Sequence, residues 1–158
     1  MHTEEALTLI GRPFPDSAID AGRTFTQANS QMEQDEVFQK FLADNNLADQ
    51  RASLVVFGPE NFMYWYGVCV PRGQVTKPAG LMSFDLPKAE VASVASTQTM
   101  AFFSLPLNQV IPEFLEKAAE MGAKIYQNLG DSDTPYVLQR LNQAEKKLTQ
   151  TVYLQVSE

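Results

Sequence analysis

Residues 63–71 read Met-Tyr-Trp-Tyr-Gly-Val-Cys-Val-Pro and hold the only tryptophan and the only cysteine of the chain. Aromatic and β-branched residues at this density predict a strand at the centre of a sheet. Because successive side chains of a strand point to opposite faces, Tyr64 and Tyr66 share one face, and Trp65 and Cys69 share the other. Neither face is polar, so we expect both to be covered: one by a helix, the other by a second layer or by the wall of a cavity.

Two further strands and a helix are predicted before this stretch. An apolar run ending near Gly11 or Arg12 predicts a first strand over residues 6–12. Apolar side chains spaced by three and four then predict one amphipathic helix over residues 23–44, which ends where short polar side chains compete with helical bonding. Residues 53–57 predict a strand that forms a hairpin with the central stretch through a short loop.

The second half of the chain repeats this order. A helix is expected from Asn108 to Met121, because a capping residue precedes apolar positions at helical spacing and Gly122 follows them. Residues 97–106 predict either a short strand or a bend, and the composition of residues 136–141 allows a helix as well as a strand. The strands predicted here cover residues 81–86, 90–96, 123–129, 136–141 and 149–156.

Together these elements predict an α+β fold built from two strand-helix-strand-strand repeats. The repeats cover roughly residues 5–90 and 91–158 of a single domain spanning residues 1–158, and they share no obvious sequence identity. We expect one antiparallel sheet with the two main helices on one side and a concave groove.

The composition disfavours several classes of partner. The chain has 158 residues, of which 44% are hydrophobic, with a net charge of −7 and a pI of about 4.7. It lacks the basic stripe of nucleic-acid binding proteins, and its negative charge opposes anionic membrane surfaces. One cysteine excludes an internal disulfide and fits a reducing compartment, and the N-terminus lacks signal-peptide features. We therefore expect a cytoplasmic protein with no nucleic-acid and no membrane partner.

The sequence is poor in the residues of catalytic and metal sites. Its single histidine is His2, so Ser-His-Asp and Cys-His arrangements are implausible, and metal ligands do not cluster. The glycines are scattered and form no phosphate-binding loop. Cys69 is expected to be buried and inert. We predict no catalytic residue, no metal and no cofactor, and we favour binding of something apolar or flat over catalysis.

The central stretch also belongs to a longer pattern. Residues 64–68 read Tyr-Trp-Tyr-Gly-Val, a polar loop ends in Ala79-Gly80, and residues 86–92 read Leu-Pro-Lys-Ala-Glu-Val-Ala. This pattern resembles the GyrI-like family, also described as the effector-binding domain of AraC- and MerR-type transcription activators. The resemblance implies an aromatic groove that binds flat, often cationic, hydrophobic molecules. Because the N-terminal helix belongs to this domain and the charge is acidic, we expect a standalone binding domain without a helix-turn-helix module.

The resemblance also implies a groove glutamate in many relatives, and Gln139 stands where it would align. A neutral amide can orient a ligand through hydrogen bonds, but it cannot act as a general base. Glu145 is a weaker substitute for that glutamate. If Gln139 occupies the position, strong cation selection and hydrolysis are both disfavoured.

We expect the groove to be lined by a small set of aromatic residues and one amide, with a hydrophobic or cationic aromatic small molecule as partner. Tyr64 and Tyr66 are predicted to face the groove and not the first helix, because tyrosine has a polar tip suited to a partly wet pocket. Each aromatic alone is better explained by core packing than by a site, so only their convergence would make a site. The candidates are Tyr64, Tyr66, Phe103, Tyr136 and Gln139, with Trp65 as an alternate.

Two other functions remain open from the sequence. A hydrolase of small reactive ligands would need a carboxylate in the groove. A gyrase-inhibitor-like interaction with a protein would favour one acidic block, whereas the acidic residues here are spread along the chain.

Overall fold

The computed structural model describes residues 1–157, which form eight strands and three α-helices. The strands are β1 (His2–Glu4), β2 (Leu7–Pro15), β3 (Gln50–Phe57), β4 (Phe62–Pro71), β5 (Met82–Leu86), β6 (Ala89–Thr97), β7 (Tyr136–Asn142) and β8 (Lys147–Val156). The helices are α1 (Thr26–Glu33), α2 (Glu36–Asp44) and α3 (Leu107–Glu120), and short 3₁₀ turns cover Asp16–Ala18, Met100–Ser104 and Leu129–Asp131. None of these helices is long and apolar enough to cross a bilayer.

All eight strands join one antiparallel sheet in the order β1-β6-β8-β7-β3-β4-β2-β5. The order is symmetric about the β7–β3 pair, because β2, β3 and β4 pair with one another as β6, β7 and β8 do. Helical segments follow β2 and β6 in the same way. The predicted α+β fold with two strand-helix-strand-strand units and a curved sheet is thus confirmed.

Two apolar clusters occupy the two faces of this sheet. The helices cover one face, which carries Tyr64 and Tyr66, and we call it the helix side. The opposite, helix-free side holds a second cluster in which Leu9, Leu54 and Trp65 have 0 to 6% of their surface exposed. Side chains from β2 and β5 at one end of the sheet and from β6 at the other join this cluster. The sheet therefore curls around its helix-free side and buries that side without a covering helix.

A pair of glycines allows β2 and β4 to approach closely within the curl. Gly11 lies opposite Gly67 in the register. A Cβ on Gly11 would lie 2.1 Å from the Tyr66 carbonyl oxygen, and one on Gly67 would lie 2.1 Å from the Ile10 carbonyl oxygen. Any side chain at either position would force the two backbones apart.

The single helix predicted over residues 23–44 is wrong, because the chain forms two helices there. Asp35 interrupts the helical pattern and caps α2, accepting a hydrogen bond from the Phe38 backbone N–H at 3.0 Å. Arg12 pairs with the same carboxylate and also donates to the Gly80 carbonyl. A capping aspartate begins a new helix more readily than it continues an old one.

Other boundaries differ for local reasons. Residues 123–129 form no strand; Asn128 accepts from the Gly130 N–H and begins a 3₁₀ turn there. Residues 97–106 form a 3₁₀ turn at Met100–Ser104. The strand predicted over residues 6–12 is β2, which extends beyond the predicted end to Pro15. It can do so because β5 pairs with β2 only as far as Gly11, and the residues beyond Gly11 lie at a free edge. Prolines are tolerated where a strand has a free edge.

Candidate ligand-binding site

The helix-facing row of β4 organises the candidate site. Phe62, Tyr64 and Tyr66 alternate along the strand and all point to the helix side. Phe25, which immediately precedes α1, stacks on Tyr64 with ring centroids 4.1 Å apart and planes 7° apart, and its edge meets Phe62 at 6.0 Å. The Phe25–Tyr64 stack therefore separates the surroundings of Phe62 from those of Tyr66.

A cavity of about 330 Å³ lies on the Phe62 side of this stack, and we call it the Phe62 cavity. It is bounded by the sheet, the segment before α1 and the first turns of α3. Apolar side chains dominate its wall, and its volume is near the lower end for small-molecule sites. The lining residues are Ile19, Arg23, Val55, Phe57, Phe62, Leu107, Asn108, Ile111 and Pro112.

A second cavity of about 290 Å³ lies on the other side of the stack, and we call it the Tyr66 cavity. It lies between α1 and the 3₁₀ turn Met100–Ser104. Asn29 connects these two elements, since its Nδ2 donates to the Phe103 carbonyl at 3.1 Å and its Oδ1 accepts from the Tyr64 hydroxyl at 2.7 Å. The lining residues are Thr26, Asn29, Ser30, Glu33, Tyr66, Met100, Ala101, Phe103 and Ser104.

Glu33 supplies the carboxylate of the Tyr66 cavity, but a buried arginine already pairs with it. Arg51 Nε donates to Glu33 Oε2 at 2.7 Å and Arg51 Nη2 to Oε1 at 3.0 Å, while the Tyr66 hydroxyl donates to Oε2 at 2.8 Å. Burial raises the pKa of Glu33, yet the hydrogen bonds from Arg51 and Tyr66 and the charge of Arg51 outweigh it, so the net shift is downward. This carboxylate is therefore ionised and neutralised within the protein.

Gln139 lies deeper on the same side of the sheet. It is 2% exposed, and it connects the two central strands to β8. Its Nε2 donates to the Ser53 hydroxyl at 3.0 Å, and its Oε1 accepts from Gln150 Nε2 at 3.0 Å. Both the nitrogen and the oxygen of the amide are thus hydrogen-bonded, and Gln139 lines neither cavity. Its proposed correspondence to a family glutamate stays a prediction.

The structure divides the predicted groove residues between the two faces. Tyr64, Tyr66, Phe103 and Gln139 come together on the helix side. The expectation that Tyr64 and Tyr66 face away from the first helix is wrong, because their hydroxyls bond to Asn29 and Glu33 of α1. Polar tips suited them to the polar groups of a helix as well as to a wet pocket.

Trp65 and Tyr136 lie on the helix-free side and cannot share a site with the other four. They belong to a line of aromatic rings, Trp65–Phe84–Tyr136–Tyr153, with successive centroids 5.8, 5.5 and 5.7 Å apart. The Tyr153 hydroxyl is buried and has no hydrogen-bond partner within residues 1–157. Burial raises the pKa of the nearby Cys69 thiol to about 11, so the thiol is protonated at neutral pH.

Comparison with known proteins shows the fold. No protein-family model and no curated protein matches this chain. SAV2435, in a structure bound to tetraphenylphosphonium, has a TM-score of 0.56 and 14% identity over 98% of this chain and 91% of that chain. This likeness shows that the two chains share a fold.

Two further solved structures are similar over nearly their whole length. The integron cassette protein VCH_CASS2 from the mobile metagenome of Vibrio cholerae has a TM-score of 0.45 and 8% identity, covering 98% of this chain and 97% of that chain. A Staphylococcus aureus MU50 protein, described provisionally as a bacterial transcription regulation protein, has a TM-score of 0.47 and 10% identity, covering 99% and 95%.

Several residues of the two cavities were missed by the sequence reasoning. Phe62 could have been found, because it continues the parity of Tyr64 and Tyr66 on the same strand. Phe25, which supports Phe62 without lining either cavity, has the spacing of an ordinary apolar helix position, and that pattern predicts core packing. Arg23 and Glu33 carry no local signal, since their roles depend on α3 and on Arg51, which the fold brings to them.

Proposed function

We propose that this protein is a small-molecule binding domain, related to the GyrI-like family, that takes flat apolar molecules into the Phe62 cavity. The observation that carries the proposal is the aromatic and aliphatic wall of that cavity, in which Phe62 packs against Phe25. Flat aromatic molecules bind to such walls through burial and ring stacking. The shared fold with SAV2435, which has been seen with an aromatic ligand, supports it.

In this proposal the helix-side residues have distinct roles. Phe62 contacts the ligand, and Phe25, which packs against Phe62 and stacks on Tyr64, supports Phe62 from outside the cavity. Tyr66 and Phe103 offer aromatic faces in the Tyr66 cavity, with ring centroids 5.7 Å apart. Gln139 keeps the sheet beneath them in register. Trp65 and Tyr136 have no part in the site.

Binding is favoured over hydrolysis by the state of Glu33. Glu33 is the carboxylate on which hydrolysis of a ligand in the Tyr66 cavity would depend. A general base must be free to accept a proton from water near the ligand. Glu33 is held by Arg51 and Tyr66, and its lowered pKa makes it a weak base.

The test is a titration with N-phenyl-1-naphthylamine, a neutral dye whose fluorescence rises in apolar sites. Leu107→Trp places a large ring into the Phe62 cavity from the first residue of α3. We expect it to weaken dye binding by about tenfold or more, equivalent to ~1.4 kcal/mol. Leu115→Trp is the matched control, because Leu115 is a half-buried leucine of the same helix that does not line this cavity.

Saturable binding that is lost in Leu107→Trp and kept in Leu115→Trp supports the proposal. No saturable binding by the native protein, or equal binding by both variants, would overturn it. Circular dichroism and thermal unfolding of each variant establish that the variants are folded.

A further inference from the structure

The Phe62 cavity carries one charged side chain, and that side chain is a cation. The structure describes every residue that lines this cavity, and Arg23 is the charged one among them. Within residues 1–157 its guanidinium makes no ion pair and no side-chain hydrogen bond. An arginine at the mouth of an apolar cavity is suited to a planar anion, since its N–H donors match a carboxylate or a sulfonate.

The backbone of Arg23 is fixed at this position. Its φ is +65°, its N–H donates to the Asp20 carbonyl at 3.0 Å, and its carbonyl accepts from the Leu107 N–H at 3.1 Å. The last bond joins the segment before α1 to the first residue of α3, the two elements that form the cavity mouth. The backbone from which the exposed Arg23 side chain extends is therefore fixed beside the entrance.

An aspartate lies three residues before Arg23 but forms no ion pair with it in the described chain. The Asp20 carboxylate accepts from the Thr24 hydroxyl and from the backbone N–H groups of Thr24 and Gly22, both at 3.0 Å. The hydrogen bond from the Thr24 hydroxyl is the main cause of a lowered pKa for Asp20. The carboxylate is used to build the turn, and Arg23 is left without a partner.

The N-terminus of α3 adds a second positive element to the same mouth. This 14-residue helix starts after Pro106, which provides no side-chain cap, and its first turn contains no acidic residue. Leu107, Asn108 and Ile111 of its first turns line the cavity. The N–H groups of Leu107 and Gln109 are already bonded, to the Arg23 and Pro106 carbonyls, so it is the dipole of α3 that favours an anion there.

We propose that the Phe62 cavity selects an aromatic anion: the rings enter the cavity and a carboxylate or sulfonate binds at Arg23 and the start of α3. This inference rests on the proposed function, whose cavity it uses. It reverses the charge expected from the family resemblance. Glu33, the acidic group of the neighbouring Tyr66 cavity, is already neutralised by Arg51 and gives no competing attraction for a cation.

The test compares two dyes that differ by one group. 1-Anilinonaphthalene-8-sulfonate has the ring system of N-phenyl-1-naphthylamine plus a sulfonate. We expect the native protein to bind the sulfonate about three- to fivefold more tightly, as a largely exposed ion pair allows. Tetraphenylphosphonium, an aromatic cation, should compete less well than the sulfonate. The preference should shrink as salt is added.

Variants of Arg23 isolate the charge. Arg23→Gln should remove the preference for the sulfonate, measured as the ratio of the dissociation constants of the two dyes in the same variant, while Arg23→Lys should retain most of that ratio. None of these side chains is more strained than arginine at a positive φ. Lys147→Gln is the control for net charge, because it removes the same single positive charge from an exposed lysine on β8 that does not line the cavity.

The outcomes separate the two proposals. If neither dye binds saturably, the proposed function fails and this inference fails with it. If both dyes bind equally and both are excluded by Leu107→Trp, the proposed function stands and only the charge selection is overturned. Tighter binding of tetraphenylphosphonium, or an unchanged sulfonate preference in Arg23→Gln, would also overturn it.

Discussion

The two faces of the sheet are covered in different ways, and only one of them leaves space for a ligand beside an apolar wall. On the helix side, rigid helices meet a curved sheet, and two cavities remain on either side of the Phe25–Tyr64 stack. On the helix-free side, the sheet curls around its own side chains, and four aromatic rings pack in a line. A smaller cavity of about 210 Å³ on that side has the charged residues Glu4 and Arg140 in its wall.

The two faces also differ in whether their buried tyrosine hydroxyls have hydrogen-bond partners. The helix side pairs its buried hydroxyls, Tyr64 with Asn29 and Tyr66 with Glu33. On the helix-free side, the Tyr153 hydroxyl is buried without a partner in the described chain. A curled sheet can exclude water with its own apolar side chains, but it brings few donors and acceptors to satisfy a hydroxyl. Helices bring such groups, together with gaps that a ligand can enter.

The largest expected effect is a loss of stability when β2 and β4 can no longer approach closely. Gly67→Ala places a Cβ 2.1 Å from the Ile10 carbonyl oxygen, so β2 and β4 must separate. We expect a loss of about 3 kcal/mol or more in the free energy of unfolding, measured by urea titration.

Gly22→Ala is the control for the glycine substitution, because a Cβ there meets only Asp20 Oδ1, at 3.5 Å. If Gly67→Ala were as stable as Gly22→Ala, the close approach of the two strands would not be what holds the helix-free side together.

The next effect tests the charge pairing of the helix side. Glu33→Gln leaves the Arg51 guanidinium, 7% exposed, without its carboxylate. Breaking a buried pair costs 3–5 kcal/mol, and partial exposure of Glu33 reduces this to about 2 kcal/mol. Urea unfolding at neutral pH measures the loss, and Glu116→Gln, at an exposed position of α3, should change little.

This loss should depend on pH in one direction. The folded-state pKa of Glu33 lies below its ordinary value of 4.5, so its contribution is complete above that value and is lost as pH falls through the folded pKa. Native protein and Glu33→Gln should therefore converge in stability once the pH falls below the folded-state pKa of Glu33. A difference that persists or grows on acidification would contradict the assigned ion pair.

The smallest effect compares one tyrosine from each face. Tyr64→Phe removes a hydrogen bond to Asn29 and should cost about 1 kcal/mol, whereas Tyr153→Phe removes an unpaired hydroxyl and should be neutral or stabilising by up to about 1 kcal/mol. Thermal and urea unfolding of the two variants measure the contrast. Equal losses would mean that Tyr153 has a partner, such as a bound water.

The sequence predicts the strands well and the site poorly, for physical reasons. The density of β-formers in residues 63–71 identifies an inner strand, and parity assigns its side chains to two faces. Parity alone does not say which face receives the helices, because that depends on the curl set by Gly11 and Gly67. For this reason, the prediction that Tyr64 and Tyr66 face away from the first helix is wrong.

Long-range contacts explain the remaining misses. The helix break at Asp35 is a capping event stabilised by Arg12, which lies 23 residues earlier in the chain. Arg23 gains its role only where the first residue of α3 meets it. Such pairs leave no periodic pattern, whereas a strand or an amphipathic helix does.

The position of Trp65 decides how this protein can be followed by fluorescence. The indole is 6% exposed and lies across the sheet from the Phe62 cavity, where a bound molecule cannot touch it. Its emission wavelength should therefore report unfolding and stay constant during binding. A ligand that absorbs in the tryptophan emission band can still quench it through space by energy transfer. Quenching without a wavelength shift would then mark occupancy, and quenching with a red shift would mark denaturation by the ligand.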